Sequence, residues 1–180
     1  MLKERIKMGF LHIYCGEGKG KTTAALGLAL RAAGAGKTVR IIQLLKGTNT
    51  SELEALRLIP NITVTRCDKN YGFTSKMTET DKAEITACHN KLLSEGFALV
   101  KKGAVDMLII DEFNAAYDYN LLDRSSAEEF LTCRDFPAEI VITGRNPAEI
   151  FLNIADYISE VKCVKHPFDK GISARKGIEF

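Results

Sequence analysis

Short apolar runs alternate with helical periodicities along the whole chain. The runs at residues 10–14, 39–44, 62–65, 107–110, 140–143 and 158–164 are rich in Ile, Leu and Val and read as strands. Between them, residues 22–33, 51–58, 81–101, 126–133 and 147–155 read as helices of two or more turns. Some ends are marked. Ser51 followed by Glu54 fits a capping box, and Asn146, Pro147 and Glu149 line up as a cap, a first-turn proline and a third-position acid. Gly34-Ala35-Gly36 is a helix stop. Strands that alternate with helices pair in parallel through right-handed crossovers, and both faces of such a sheet are covered. The expected architecture is one three-layer α/β domain over residues 9–180, its sheet mainly parallel and about six-stranded. Two segments, 67–78 and 113–125, break the alternation. Each follows a strand, where the ligand-binding loops of open α/β sheets lie.

Composition narrows the class. Of 180 residues, 46% are hydrophobic and 27% charged, which excludes wholesale disorder. Lys plus Arg is 25 against 23 for Asp plus Glu, a net charge of +2, so nucleic acid is not an expected partner. Basic residues gather at the ends. Residues 1–8 form a short basic segment with Lys3, Arg5 and Lys7, and the last twenty residues carry Lys162, Lys165, Lys170, Arg175 and Lys176. The five cysteines (Cys15, Cys67, Cys88, Cys133, Cys163) are scattered without a C-x-x-C pair, and are expected to be free thiols in a reducing compartment. No stretch has the length of a signal core or a membrane span, so a cytoplasmic protein is expected.

The most informative stretch is Cys15-Gly16-Glu17-Gly18-Lys19-Gly20-Lys21-Thr22-Thr23, between the first strand and the first helix. Glycines let the backbone turn its N–H groups onto phosphate oxygens, and the helix behind adds its positive end. Lys21 would lie on phosphates, and the Thr22 hydroxyl would ligate Mg²⁺. The general pattern G-x-x-x-x-G-K-[ST] has glycine where this chain has Cys15. A second signal is the apolar strand ending in Asp111-Glu112. A carboxylate there, beside a phosphate loop, holds Mg²⁺ directly or through water, and either acid could be the one. Thr143-Gly144-Arg145 ends a further strand, and Arg145 could contact phosphate. These motifs alone specify a P-loop nucleotide-binding protein. One candidate is a RecA-like ATPase driving a conformational cycle, with Glu112 polarising water; another is a non-catalytic nucleotide sensor.

Order and spacing go further. The phosphate loop running into Ala24-Ala25, Gln43 with Leu45-Lys46-Gly47, and Gly72-Phe73-Thr74 resemble the successive signatures of one family. So do Asp111-Glu112 with Tyr117-Asp118-Tyr119, Thr143-Gly144-Arg145, and the tail from Val164-Lys165-His166-Pro167-Phe168 to Gly177-Ile178-Glu179-Phe180. That family is the P-loop type of ATP:corrinoid (cob(I)alamin) adenosyltransferase. The resemblance runs from Gly9 to Phe180. Its tail is the most specific part, because phosphate-loop ATPases in general lack it, and the family's own loop also lacks the usual first glycine.

The resemblance implies a RecA-like P-loop fold, a homodimer, and transfer of the 5′-deoxyadenosyl group of ATP to the cobalt of a reduced corrinoid, with release of tripolyphosphate. It assigns Gly16, Glu17, Gly18, Lys19, Gly20, Lys21, Thr22 and Thr23 to the nucleotide, and leaves Arg145 between contact with phosphate or corrinoid and a surface role. Lys21 is catalytic, and Thr22, Asp111 and Glu112 serve Mg²⁺. Cobalt(I) is itself a strong nucleophile, so catalysis is positioning plus stabilisation of the leaving triphosphate. ATP is held reversed relative to ordinary P-loop enzymes, so that C5′ meets the nucleophile. Phe73 is assigned to the corrinoid, where it displaces the lower nitrogen ligand of cobalt and eases reduction. Ser75 stands where the family commonly has a second aromatic, with Tyr71 as the available substitute. An electron donor such as a flavodoxin or flavin reductase is the implied partner. His12 and His89 read as ordinary strand and helix residues, and the acid–lysine pairs of 81–101 as a solvated face.

Overall fold

The computed structural model describes residues 9–47, 50–72 and 74–179, so Phe73 lies outside the described residues. In chain order the elements are β1 (Leu11–Cys15), α1 (Lys21–Gly34), β2 (Val39–Gln43), α2 (Glu52–Leu56), β3 (Ile62–Arg66), α3 (Glu79–Lys101) and β4 (Met107–Asp111). They continue with α4 (Phe113–Asp118), α5 (Arg124–Cys133), β5 (Glu139–Thr143), α6 (Glu149–Ile154) and β6 (Tyr157–Glu160). The six strands form one sheet in the order β3-β2-β4-β5-β1-β6. Every pairing is parallel.

Strand alternation sorts side chains onto two faces. On one, Val39, Ile41, Met107, Ile109 and Val141 meet Ala25, Ala29 and Ala32 of α1. Alanines at that helical spacing let α1 lie close to the sheet. On the other, Leu11, Ile13, Ile42, Leu108, Ile110, Ile140 and Ile142 form the main core with Leu93 and Phe97 of α3 and Phe130 and Leu131 of α5. A Cβ at Gly96 would stand 2.7 Å from Ile42 Cδ1, so glycine sets how near α3 approaches. All strands run the same way, so their carboxyl ends, and the loops after them, gather at one edge.

Several expectations are corrected. Residues 113–125 are not a loop: α4 begins directly after Glu112, burying Phe113 and Ala116, and is too short to carry a periodic signal. The last strand stops at Glu160, because the chain beyond it leaves the sheet to run over the phosphate loop. Ser51 makes no side-chain cap bond. Ala148, not Asn146, is the N-cap of α6, and Asn146 has a φ of 44° in the turn before it. The true capping box belongs to α3, where Thr78 and Asp81 bond reciprocally. The helix stop after α1 is as expected, with Gly36 at a φ of 80°. Cys67 and Cys88 are not free thiols: they are joined in a disulfide across 21 residues, with Cα atoms 6.2 Å apart. Sequence spacing hid the pair because β3 and the middle of α3 become neighbours only in the fold. Cys15, Cys133 and Cys163 are free.

Candidate active site

The phosphate loop joins β1 to α1, and its glycines have two different causes. Gly20, the N-cap of α1, has a φ of 122° and open space around its Cα. It is free to turn its backbone toward a ligand. Gly16 and Gly18 instead lie under the chain leaving β6. A Cβ would meet Val161 O at 2.6 Å from Gly16 and Lys162 O at 2.7 Å from Gly18. Gly18 N–H donates to Val161 O at 2.7 Å, so the tail itself braces the loop. Cys15, in the position of the general motif's first glycine, is a buried core residue whose thiol pKa is raised chiefly by burial. Lys21 Nζ donates to Gly18 O at 2.9 Å, folded back along the loop. Arg145, just after β5, pairs with Glu17 at 3.2 Å. This pair joins the two strand ends at their exposed rim.

Below the loop lies a hub of polar side chains. Thr22 Oγ1 donates to Asp111 Oδ1 at 2.9 Å, and Thr143 Oγ1 donates to the same oxygen at 2.7 Å. Lys46 Nζ donates to Thr22 Oγ1 at 3.2 Å and forms an ion pair with Asp111 Oδ2. Of the two acids it is Asp111, buried at the end of β4, that takes the Thr22 hydroxyl. Glu112 has a φ of 60°, which turns the chain from β4 into α4, and its N–H donates to Thr143 Oγ1 at 3.0 Å. Burial first, and the Asp111 charge second, push the Glu112 carboxyl above the usual range. Lys46, Lys21 and Arg145 oppose that rise.

Lys46, whose residue type and spacing specify no role, gains a place from the fold. Gln43 ends β2 in register with Asp111, and the chain turns back at Leu45, whose φ is 57°. Beside the hub, a cleft of about 830 Å³ is lined by Lys19, Thr22, Thr23, Leu30, Lys46 and Ile178 among others. The tail, through Gly177-Ile178-Glu179, thus forms one wall of this cleft.

The second candidate region follows β3. A turn of 3₁₀ helix at Thr74–Lys76 leads toward α3, and a cleft of about 260 Å³ lies among Thr74, Ser75, Met77, Lys82, Tyr119 and Leu121. Tyr71, the available substitute for the missing aromatic, is half-buried. It packs against the small cluster of Met77, Ile85 and Leu121, with Lys69 Nζ 4.7 Å from its ring centre. His89 is a satisfied core residue, as expected. Its Nδ1 donates to Leu121 O at 2.8 Å and its Nε2 accepts from Leu45 N–H at 3.2 Å. His12 pairs with Glu139 at 2.8 Å and stacks on Tyr157.

A profile of the family described as ATP:corrinoid adenosyltransferase BtuR/CobO/CobP matches residues 7–180. The chain belongs to that family. It is 34% identical to the corrinoid adenosyltransferase CobA of Salmonella typhimurium over 176 residues, covering 96% of this chain and 86% of the relative. It is 32% identical to the corrinoid adenosyltransferase of Escherichia coli (strain K12), with the same coverage. In fold it is similar to a KaiC-like protein from Pyrococcus horikoshii OT3, with a TM-score of 0.54 at 14% identity, covering 87% of this chain and 73% of that one. The shared fold is therefore that of the KaiC-like protein, while the family match over residues 7–180 makes this chain an ATP-dependent corrinoid adenosyltransferase. Among the described residues, no helix is long and apolar enough to cross a membrane.

Proposed function

We propose that the strand-end hub and the cleft beside it hold ATP for transfer of its 5′-deoxyadenosyl group to the cobalt of a reduced corrinoid (cob(I)alamin), with tripolyphosphate leaving. The observation that carries this reading is the convergence of Thr22, Asp111 and Lys46 beside the phosphate loop. In the transition state negative charge grows on the leaving triphosphate, and groups fixed in advance lower that barrier without reorganising. Lys21 and Lys19, with the backbone around Gly20, supply positive charge there. Lys21 exchanges its contact with Gly18 O for a phosphate oxygen. Thr23 begins α1 beside Thr22, and Arg145 turns from Glu17 toward phosphate. No residue is needed as a general base, because the cobalt nucleophile carries its own electron pair.

The donors fit Mg²⁺. Thr22 Oγ1 and the Asp111 carboxylate are hard oxygen donors already in contact, and a Lys46 ammonium accepts the same surroundings. Among the described residues no group of three or more His, Cys, Asp or Glu side chains could hold a metal. Phosphate and water would complete the coordination, as Mg²⁺ sites commonly require. Bound there, Mg²⁺ would neutralise charge on the polyphosphate. Glu112, half-buried and raised in pKa, serves this site at one remove.

The corrinoid is assigned to the side of the 3₁₀ turn, with Phe73 as the residue that displaces the lower cobalt ligand. Ser75 borders the cleft there without adding apolar cover. A homodimer is supported by apolar side chains exposed on the edge strand and tail: Tyr157, Ile158, Val164 and Phe168. The reductant is assigned to an electron donor such as a flavodoxin or flavin reductase, and the working compartment to the cytoplasm, where ATP is plentiful. The decisive experiment incubates the protein with Mg-ATP and a chemically reduced corrinoid and identifies the phosphate product. Tripolyphosphate is expected. Orthophosphate formed without corrinoid would favour the ATPase reading, with Glu112 activating water.

A further inference from the structure

Lys46 occupies a position that neither the phosphate-loop nor the strand-end acid motif accounts for. Its ammonium touches two oxygens, Thr22 Oγ1 at 3.2 Å and Asp111 Oδ2. The Thr22 hydroxyl spends its proton on Asp111 Oδ1, so the lone pairs left on Thr22 Oγ1 are what Lys46 uses. A divalent cation ligated by the same hydroxyl and carboxylate would need the same lone pairs. Two cations a few ångströms apart also repel strongly where water is scarce. Asp111 is 2% exposed at its side chain and Lys46 21%. The carboxylate is thus buried, whereas the lysine reaches the cleft that Lys19, Thr22 and Thr23 also line.

The backbone on either side of Lys46 is held. Leu45, at a φ of 57°, gives its N–H to the buried His89. A Cβ at Gly47 would lie 2.3 Å from Asn70 Cα, so that residue is closely packed against the segment after β3. What can pivot is the four-carbon side chain. Because Lys46 lines the cleft, the polyphosphate comes within its reach once ATP lies there.

We propose that the Lys46 ammonium holds the cation position between Thr22 and Asp111 until metal-bound ATP enters, then moves to the polyphosphate as a substrate-binding residue. The exchange keeps the buried Asp111 carboxylate paired at every stage, since removing one partner of such a pair is strongly destabilising. This inference rests on the metal–nucleotide reading of the hub proposed above.

The test compares wild type, Lys46→Met and Asp111→Asn by thermal unfolding with and without Mg²⁺ alone, and by calorimetric titration with Mg-ATP. Lys46→Met is expected to unfold at a lower temperature than wild type without metal and to recover more than wild type when Mg²⁺ is added. Its affinity for Mg-ATP should fall about ten- to a hundredfold, the span of one charge-assisted hydrogen bond. Equal Mg²⁺ responses in Lys46→Met and wild type, or unchanged Mg-ATP affinity, would overturn the exchange. Asp111→Asn separates the two levels. If it loses Mg-ATP affinity while Lys46→Met does not, only the exchange fails; if neither does, the reading of the hub fails with it. Should Lys46→Met not fold, amine acylation of Lys46 in the wild type decides. Its rate should change when Mg-ATP is added and stay as it is with Mg²⁺ alone, and a rate indifferent to Mg-ATP would overturn the proposal.

Discussion

The two sides of the candidate site are built differently. On the phosphate-loop side, Thr143, Asp111 and Gln43 stand at the carboxyl ends of adjacent parallel strands, so sheet register brings them together. Thr22 enters from the first turn of α1, and the hub closes through side-chain hydrogen bonds. On the side following β3, residues 67–72 belong to neither strand nor helix. They are positioned by separate pins: the Cys67–Cys88 bond, the ion pairs of Lys69 with Glu84 and Asp81, and Tyr71 against Met77 and Ile85. A site made from strand ends inherits the rigidity of the core. A site made from a pinned segment depends on each pin, and can move when one is released.

The largest expected effect tests the rigid side. Lys21→Ala should lower turnover by about 10²–10³, the cost of losing one charge-stabilising group, while the thermal midpoint stays near that of wild type. Tripolyphosphate release measured beside circular dichroism checks both halves. Near-normal turnover in a folded variant would remove Lys21 from the chemistry.

The next effect tests the pinned side. A cross-link closing about twenty residues contributes about 3 kcal/mol, chiefly by restricting the unfolded chain. Cys67→Ser, or reduction with dithiothreitol, should therefore lower the thermal midpoint by about 6–12 °C. Thiol titration of denatured, unreduced protein should find Cys15, Cys133 and Cys163 reactive, and Cys67 and Cys88 only after reduction. Disulfides are uncommon in reducing cytosol, so this count is a direct check on the pairing. Full reactivity without reductant would leave the 67–72 segment with fewer pins than described.

His89 touches both sides, bonding Leu45 next to Lys46 and Leu121 beside the smaller cleft. Burial lowers its pKa, against a smaller opposing effect of the Leu121 carbonyl. The folded state thus prefers the neutral ring, whose Nε2 must keep a lone pair for Leu45 N–H. The unfolded chain binds the proton more readily, so this contribution is complete above the ordinary histidine value of about 6.5 and is lost as pH falls from there toward the lowered folded value. His89→Leu should cost about 2 kcal/mol at neutral pH by stranding both partners, and should flatten stability between about pH 5 and 7. Denaturant unfolding at several pH values reads both. An unchanged slope in the variant would assign the acid sensitivity elsewhere.

The smallest effect is at the rim. Arg145 and Glu17 are more than half exposed, and such a pair contributes only ~0–1 kcal/mol. Arg145→Ala should leave the midpoint nearly unchanged and weaken ATP binding several-fold, a split that a purely structural arginine would not give.

Much of this was legible in the residues themselves. Ile, Leu and Val runs separated by helical stretches specify a parallel α/β sheet, because no other pairing lets short connections cover both faces. Gly20-Lys21-Thr22 and the Asp111-Glu112 pair are marked locally, in residue type and spacing, so they could be singled out before any fold was known, whereas which of the two acids meets Thr22 could not. Elements whose cause is distant were not legible. α4 starts because Glu112 turns left-handed beside Thr143, and Gly16 and Gly18 are required partly by a tail that begins more than 140 residues later. Cys67 and Cys88 carry no spacing signal, and Lys46 looks like any solvated lysine until β2 and β4 align. Local chemistry and periodicity were therefore set by the sequence alone. Contacts between residues far apart in the chain, including the one that puts an ammonium against Thr22 and Asp111, were decided by the tertiary structure, because distance in space is a property of the packed sheet and not of the order of residues.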